Sequence, residues 1–446
     1  MNDTSWDAFF KFESDNKLFD YRDKDGLPTW DLVRHYVYSR TLDFHHTGSE
    51  NDYGFAKRMV TKIKIVPLFL KWLFSSHKDY FVFMTSRNMI EGKLTDLNLK
   101  SPIDILGLNN CFLVESFANP FDNRFAYPCN PSPSIADAFR FIIRKGYDYS
   151  SIIRVIKNHY PGIKLEPNIM NEVYRKFKAQ YIFYHWLFKR RNFQSIFLTQ
   201  NNFQKGMFKA AHDLHIPVYE MQHGYVSRAH MAYSYPEHYE GLANKIYNAD
   251  VVFSMAPFWF RGVYNPVSRF IPIGNNYQAP DIKRHKIEQR SFVVVSANVY
   301  GESLKELVMI FLANPATMDF HFYFKLHPNQ FFQYEEYCNY FKDVSQVDVI
   351  SNQKNMQKLL ETAESIILIQ STAAYEALYA GVKVFVYKRF SWEMNEDIAD
   401  QKGVYFFDNA EELLSKYEES RDIEMKPDDK YFSKFDIKSF LKTIKE

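Results

Sequence analysis

The amino-acid sequence predicts an α/β protein with two doubly wound, Rossmann-like domains. Short apolar runs alternate with helix-like patterns from about residue 80 onward, which is typical of βαβ units and parallel sheets. The alternation stops near residues 275–290, where glycine, asparagine, proline and a charged run occur, and then begins again. A chain of 446 residues is long enough for two or three domains.

The predicted N-terminal domain covers residues 1–280. Its first 75 residues are aromatic and polar, and we interpret them as helical additions. Residues 135–191 form a helical stretch longer than a minimal crossover requires, so we expect a helical insertion. The predicted strands of this domain are 80–85, 111–115, 195–199, 218–222, 251–255 and 270–273.

The predicted C-terminal domain covers residues 281–430, and residues 431–446 are expected to form a helix that packs back on the N-terminal domain. Its predicted strands are 292–296, 320–326, 347–350, 366–369, 382–387 and 404–407. Its predicted helices are 303–312, 355–362, 373–380 and 410–419. Two such domains joined by one hinge form an interdomain cleft, and doubly wound folds bind ligands at the carboxyl ends of their strands.

Composition excludes several classes of protein. Hydrophobic residues make up 46% and charged residues 24%, the balance of a folded globular chain. The net charge of +2 gives no nucleic-acid footprint, so no nucleic-acid partner is expected. The 3 cysteines have neither zinc-site spacing nor the number for a disulfide framework, which favours a reducing compartment.

The N-terminus has no basic start and no apolar run of a signal peptide, and we predict a cytoplasmic protein. The most apolar stretch, residues 65–74, is interrupted by Pro67 and Lys71 and is too short to span a bilayer, which takes about 20 apolar residues. Lysines and Arg58 surround it. An interfacial anchor on the inner membrane is one interpretation; a buried helix with a wet rim is the favoured one.

A histidine follows one strand of the second domain, in the segment Phe-Lys-Leu-His-Pro at 324–328. Pro328 lacks an amide donor and helps to end the strand, which leaves His327 at the edge of the crevice. With a pKa near neutrality, an imidazole can donate to a phosphate oxygen or protonate a leaving phosphate. We therefore expect His327, with Lys325 beside it, to contact a nucleotide, although a strand-end histidine bonded to the backbone is the alternative.

Residues 369–385 read as strand, polar turn, helix, glycine and strand. Ser371 and Thr372 stand where the helix begins, so their hydroxyls can cap it, and its free amides can hold an anion. Gln370 precedes them, and Glu376, one turn into the helix, is placed to meet a ribose or sugar hydroxyl. Plain N-capping with a solvated Glu376 is the alternative.

The segment Val-Tyr-Glu-Met-Gln-His-Gly at 218–224 is the main motif of the first domain. Strand alternation places Glu220 and Gln222 on one face, with His223 at the strand's end. Gly224 allows a tight turn and a close approach of ligand. Either His223 or Glu220 could deprotonate an attacking hydroxyl, and the sequence does not choose between them.

Further cleft candidates have weaker patterns. Arg228 and His230 follow the glycine, and Arg87 follows the first predicted strand; these we assign to the acceptor or the cleft. The loop after the first strand of the second domain could reach donor phosphates through Ser296, Asn298 and Gly301. It lacks G-x-G-x-x-G, and the chain has no P-loop, which disfavours nicotinamide dehydrogenases and ATP-driven kinases. No bound metal or cofactor is expected.

The His-Pro pair, followed by a Ser/Thr-rich turn before a helix that ends in Ala-Gly, resembles bacterial glycosyltransferases of the glycosyltransferase-B fold. The pattern is most similar to enzymes of capsule, O-antigen and lipooligosaccharide synthesis, including the sialyl-, polysialyl- and Kdo-transferases that use CMP-sugars. The resemblance implies that His327, Ser371 and Thr372 contact the CMP phosphate. Similar Gln-His-Gly segments occur in polysaccharide-biosynthesis transferases of this fold. The acidic motif that supplies the base in several sialyltransferases has no counterpart before residue 220.

We therefore expect a glycosyltransferase that moves a CMP-activated 2-keto sugar, such as Kdo or a nonulosonic acid, to a bacterial surface glycan or glycolipid. Catalytic candidates are His223, Glu220 and His327. The alternatives are a UDP-sugar-dependent transferase, a CDP-glycerol-type phosphotransferase like those of teichoic acid synthesis and a sugar-nucleotide epimerase. A non-catalytic glycan-binding protein of the same fold is the alternative from a different class.

Overall fold

The computed structural model describes residues 5–41, 65–86, 88–90, 92–115, 124–128, 130–143, 145–199, 203–277, 282–296, 300–389 and 392–446. The chain divides into two compact units. The first consists of Met1–Met255, Phe260–Gln278 and Phe435–Glu446, and the second of Ala256–Trp259 and Ala279–Lys434.

The first unit contains a sheet of six parallel strands in the order β4-β1-β5-β6-β7-β8. A separate antiparallel pair is formed by β2 and β3. The strands are β1 (Tyr80–Met84), β2 (Asn88–Ile90), β3 (Lys93–Thr95), β4 (Cys111–Glu115), β5 (Ser195–Leu198), β6 (Val218–Met221), β7 (Val251–Ser254) and β8 (Arg269–Pro272).

The α-helices of the first unit surround this sheet. They are Ser5–Asp15, Trp30–Thr41, residues 65–73, Lys100–Leu106, Ser132–Ala138, Ser150–His159, Pro167–Arg191, Lys205–Asp213 and Ile437–Thr443. The last of them belongs to this unit because its buried Phe440 ring lies 5.8 Å from that of Phe197 and 5.5 Å from that of Phe253. Aromatic burial on the sheet thus holds the C-terminal helix in place.

The second unit contains another sheet of six parallel strands, in the order β11-β10-β9-β12-β13-β14. Its strands are β9 (Glu288–Val295), β10 (His321–Lys325), β11 (Val347–Ile350), β12 (Ala363–Leu368), β13 (Lys383–Tyr387) and β14 (Val404–Phe407). Its α-helices are Gly301–Leu312, Tyr334–Tyr340, Met356–Leu360, Ala373–Ala380 and Ala410–Ser420.

The central strands of the second sheet are buried on both faces. Val293 and Val294 point to opposite faces, and both are 0% exposed. Parallel strands covered on both sides read as continuous apolar runs, which is why β9 and β12 were recognisable in the sequence. The chain runs from β9 to β10 on one side and later places β12 on the other side, so the strand order reverses between β9 and β12. Doubly wound folds bind ligands at such a reversal.

The prediction of two doubly wound domains with a helical insertion is confirmed. The twelve parallel strands lie where the sequence predicted them, within a few residues at each end. The hairpin β2–β3 and the helices Lys100–Leu106, Lys205–Asp213 and Tyr334–Tyr340 were not predicted. The interdomain cleft and the domain bounds stay predictions. Within the described ranges, no helix combines the length and the apolar character that crossing a bilayer takes.

Candidate functional site

Polar side chains follow β10 and β12, the two strands that flank β9, at the carboxyl edge of the second sheet. Lys325 pairs with Val295, and Val294 pairs with Ile367, so β10, β9 and β12 end at similar levels. His327 therefore follows β10 on one side of β9, and Gln370 follows β12 on the other. Because adjacent strands lie about 4.8 Å apart, these two strand ends are separated by about 10 Å. Side chains from both can reach one anion between them.

His327 caps a short 3-10 helix, Pro328–Gln333, and this contact orients its ring. Its Nδ1 accepts a hydrogen bond of 3.2 Å from the backbone N–H of Asn329. The Gln330 side chain accepts in return from the backbone N–H of His327, at 3.3 Å. With Nδ1 acting as an acceptor, the neutral imidazole carries its proton on Nε2. The exposed ring thus has a donor while its other nitrogen bonds to the backbone.

Gly301 lies against two side chains near the His327 turn, those of Gln330 and Tyr337. The Nε2 of Gln330 donates to the hydroxyl of Tyr337 at 3.0 Å. A Cβ on Gly301 would lie 2.0 Å from that hydroxyl, so only glycine fits at this position. Burial raises the pKa of Tyr337, and the neighbouring Ser296 hydroxyl opposes that rise. Gly301 therefore leaves room for the Tyr337 hydroxyl and the Gln330 side chain, and so has a packing role.

Lys325, predicted to bind nucleotide, makes a bracing contact. Its ammonium group donates to the carbonyl of Ser351, which follows β11, and lies 5.2 Å from the centre of the Phe331 ring. Partial burial lowers the pKa of Lys325. The contact joins the ends of β10 and β11 and gives Lys325 a positioning role.

Several hydrogen bonds hold the turn after β12, and of its two hydroxyls only that of Ser371 takes part in them among the described residues. The Ser371 hydroxyl accepts from the N–H of Ala373 at 3.1 Å, and thus caps the helix as predicted. The Thr372 hydroxyl, also expected to cap, makes no such bond and has no partner among the described residues. Gln370 accepts from the Tyr300 hydroxyl at 3.0 Å, across the reversal of strand order. The Ala373–Ala380 helix begins at this same edge.

Glu376 lies one turn into that helix and is partly buried. Burial raises the pKa of its carboxyl from 4.5 to about 7. No cation pairs with this carboxylate in the part of the chain that the structure describes, and its backbone N–H bonds to Thr372 within the helix. The group therefore changes its charge near neutral pH.

The Gln-His-Gly turn of the first unit follows β6. Glu220, 0% exposed, accepts a hydrogen bond from the Tyr233 hydroxyl. The Gln222 side chain accepts from the N–H of Met255 at 2.9 Å and donates to the carbonyl of Gly224 at 2.8 Å. Gln222 thus braces the turn against the end of β7. The partly exposed His223 lies between Gln222 and Gly224.

Three histidines lie near one another beside this turn. The His230 ring stacks against that of His35, with centroids 6.4 Å apart, and its Nδ1 accepts from the N–H of Ala232 at 3.2 Å. Burial, together with the neighbouring His35 and His223, lowers the pKa of His230 to about 3. His230 is therefore neutral at physiological pH and a weak base. Sequence reasoning missed His35, which belongs to the Trp30–Thr41 helix.

A buried ion pair brings the N-terminal helices to this site. The Arg34 guanidinium donates to both carboxylate oxygens of Glu13, at 2.7 and 2.8 Å. It also donates to the carbonyls of Met231 and Ser234, the latter at 3.0 Å. The loop that carries His230 is thereby attached to both helices. No pattern in the sequence pairs residue 13 with residue 34.

Arg228 lines a cavity of about 290 Å³ in the first unit. Its guanidinium stacks over the Trp6 ring at 4.6 Å and lies 3.6 Å from the Asp7 carboxylate. Lys11 and Glu237 also line the cavity, which is near the lower end of the size range of ligand sites. The candidates Arg87 and Asn298 lie outside the described residues.

Sequence reasoning also missed Asp96. Its carboxylate connects the ends of β1 and β5, between which the strand order of the first sheet reverses. Its carboxylate accepts from the N–H of Thr85, after β1, and from the hydroxyl of Thr199, after β5, both at 2.8 Å. The N–H groups of Asn98 and Leu99 bond to its other oxygen. Burial raises the pKa of Asp96 and these hydrogen bonds lower it. With its oxygens engaged in this way, we interpret Asp96 as structural.

No protein-family model and no curated protein matches this chain. Similar solved structures include MurG of Acinetobacter baumannii, at 13% identity over 76% of this chain and 90% of that one, with a TM-score of 0.44. UDP-GlcNAc 2-epimerase of Methanocaldococcus jannaschii, bound to UDP-GlcNAc and UDP, has 12% identity, coverages of 79% and 96%, and a TM-score of 0.45. The glycosyltransferase SnogD of Streptomyces nogalater has 14% identity, coverages of 75% and 88%, and a TM-score of 0.40.

Proposed function

We propose that this chain is a cytoplasmic glycosyltransferase that moves a CMP-activated 2-keto sugar to a bacterial surface glycan or glycolipid. The observation that carries the proposal is the carboxyl edge of the second sheet. There His327 and the Ser371-Thr372 turn follow the strands on either side of β9. The Ala373–Ala380 helix, which contains Glu376, begins directly after that turn.

In the second unit, we assign the donor phosphate to the space beyond β9. The Nε2–H of His327 donates to a phosphate oxygen from one side. From the other side, the Thr372 hydroxyl does so, and the dipole of the Ala373–Ala380 helix favours the negative charge. The first amides of that helix, which the sequence predicted to be free, bond instead to the Ser371 hydroxyl and to the carbonyls of Ser371 and Thr372. The His327 and Thr372 donors also stabilise the charge that grows on the phosphate as the bond from the sugar anomeric carbon to the phosphate oxygen breaks.

In the first unit, we assign His223 as the general base. The acceptor hydroxyl attacks the anomeric carbon and forms the new carbon–oxygen bond, its proton passes to the imidazole, and CMP leaves with the electrons of the broken bond. Glu220 is fully buried and engaged with Tyr233, so a positioning role suits it better. The cavity beside Arg228 is our proposed position for part of the acceptor.

Replacement of His327 by alanine is expected to weaken CMP binding about tenfold to a hundredfold, because one charge-assisted hydrogen bond is lost. Isothermal titration calorimetry measures this. His321→Ala is the matched control, since His321 lies on β10, the strand that precedes His327, is partly exposed, and contacts Asp348 at 3.1 Å. Unchanged binding by the His327 variant removes the histidine from the site. Binding of UDP in preference to CMP favours the UDP-sugar transferase or the epimerase alternative, and binding of neither nucleotide favours the non-catalytic one.

The variant Glu376→Gln tests whether Glu376 binds a ribose or sugar hydroxyl, through the pH dependence of the affinity for CMP-sugar. The pKa of about 7 means that Glu376 is mostly protonated at pH 6 and mostly ionised at pH 8. A carboxylate is the stronger acceptor, so the ratio of wild-type to Glu376→Gln affinity for CMP-sugar is expected to rise about tenfold over this window. Ionisations of groups other than Glu376 are common to both proteins and cancel in that ratio. A ratio independent of pH contradicts the assignment.

A further inference from the structure

The helix at residues 65–73 has two apolar rows. The residues of one row are less than a tenth exposed and face the core: Ile65, Phe69 and Leu73. The other row follows one position later and consists of Val66, Leu70 and Phe74, which are 49%, 44% and 70% exposed. Residues four apart lie in line on a helix surface. A helix that packs on the core with one face requires only one apolar row. Packing on the core therefore does not explain the exposed row.

The long helix Pro167–Arg191 extends the exposed row. Its Ile182 and Trp186 are 43% and 45% exposed, and the Trp186 ring lies 6.2 Å from that of Phe69. Arg191 donates to the carbonyls of Leu73 and Ser75, each at 3.0 Å, which joins the ends of the two helices. The exposed apolar residues of these two adjoining segments are called the apolar face below: Val66, Leu70, Phe74, Ile182 and Trp186.

The charges around the apolar face have one sign. Lys71, Lys189 and Arg190 are exposed on the same two helices. Neither residues 65–76 nor residues 177–191 contain an aspartate or a glutamate. Aromatic and aliphatic side chains with basic residues beside them are the composition of interfacial helices on anionic lipid.

We infer that the apolar face docks this protein on the surface of an anionic phospholipid bilayer. Phe74 and Trp186 enter the boundary between headgroups and acyl chains, and the lysines and arginine attract the lipid phosphates. A flat lipid surface suits five exposed apolar side chains that come from two adjacent helices. The inference does not depend on the proposed function, because it concerns a different surface.

Flotation of the full-length protein with lipid vesicles tests the inference. We expect binding to vesicles of phosphatidylglycerol and phosphatidylcholine, and binding at least about tenfold weaker for Phe74→Ser combined with Trp186→Ser. The matched control combines Phe332→Ser with Met318→Ser, which removes side chains that are 82% and 69% exposed in the second unit. That control is expected to bind as the wild type does. Lys189→Gln with Arg190→Gln is expected to weaken binding and its salt dependence.

Three results overturn the inference. The first is the absence of wild-type binding to the anionic vesicles. The second is equal binding by the wild type and the Phe74/Trp186 variant. The third is self-association in sedimentation velocity without lipid that only this variant abolishes, since the apolar face is then an interface between copies of the chain. Far-UV circular dichroism checks that each variant is folded, which exposed positions favour.

Discussion

Replacement of Glu13 by alanine is expected to destabilise the first unit by about 3–5 kcal/mol. Glu13 and Arg34 are 0% and 1% exposed, so the substitution leaves a buried guanidinium without its counter-ion. It also removes the acceptor of the Trp30 indole N–H, at 2.7 Å. Each loss is costly because water does not replace the missing partner. Hydrogen exchange measured by mass spectrometry detects the loss as reduced protection of residues 30–41.

The same experiment shows whether the N-terminal helices hold the His230 loop. Since Arg34 donates to the carbonyls of Met231 and Ser234, residues 226–235 are also expected to lose protection in the Glu13 variant. Glu418→Ala is the control, because Glu418 forms an exposed pair with Arg421 in the second unit. That variant is expected to exchange as the wild type does. Loss of protection confined to residues 5–15 refutes a role for the ion pair in the loop.

Strands such as β1, β5 and β13 were predictable from the sequence because burial on both faces requires a nearly continuous apolar run. The helix Ala373–Ala380 was also predicted with its bounds, since a serine-threonine turn precedes it and Gly381, with a φ of 72°, ends it. The hairpin β2–β3 was missed because its strands are three residues long. So short a segment has no periodicity to detect.

The sequence identified residues that follow strands, but it could not say which of them a ligand can reach. Gln222 and Lys325 carry the polar groups expected of a binding site, yet the structure engages them with backbone carbonyls and amides. The role of Gly301 depends on Tyr337, which is distant in the chain. The position of His35 follows from a buried ion pair. Such contacts depend on tertiary packing, which local patterns do not record.

His223→Ala is expected to lower kcat by about a hundredfold to ten-thousandfold, the usual loss on removal of a general base. Of the groups at this turn, Glu220 is fully buried against Tyr233, and His230 takes up a proton only near pH 3. His223 is partly exposed at the end of β6 and remains as the group that can meet an acceptor hydroxyl. Steady-state assays with a CMP-sugar donor and a glycan acceptor measure the effect.

The pH profile separates the base from a residue that positions it. In His223→Ala, the ionisation on the acid side of kcat/KM is expected to disappear, because the group that must be deprotonated is gone. In Glu220→Gln that ionisation is expected to persist with a smaller loss of rate, since a glutamine oxygen still accepts from the Tyr233 hydroxyl. His77→Ala, which alters a histidine with a 59% exposed side chain in the same unit, is expected to behave as the wild type. If Glu220→Gln instead abolishes both turnover and the ionisation while His223→Ala does not, then Glu220 is the base.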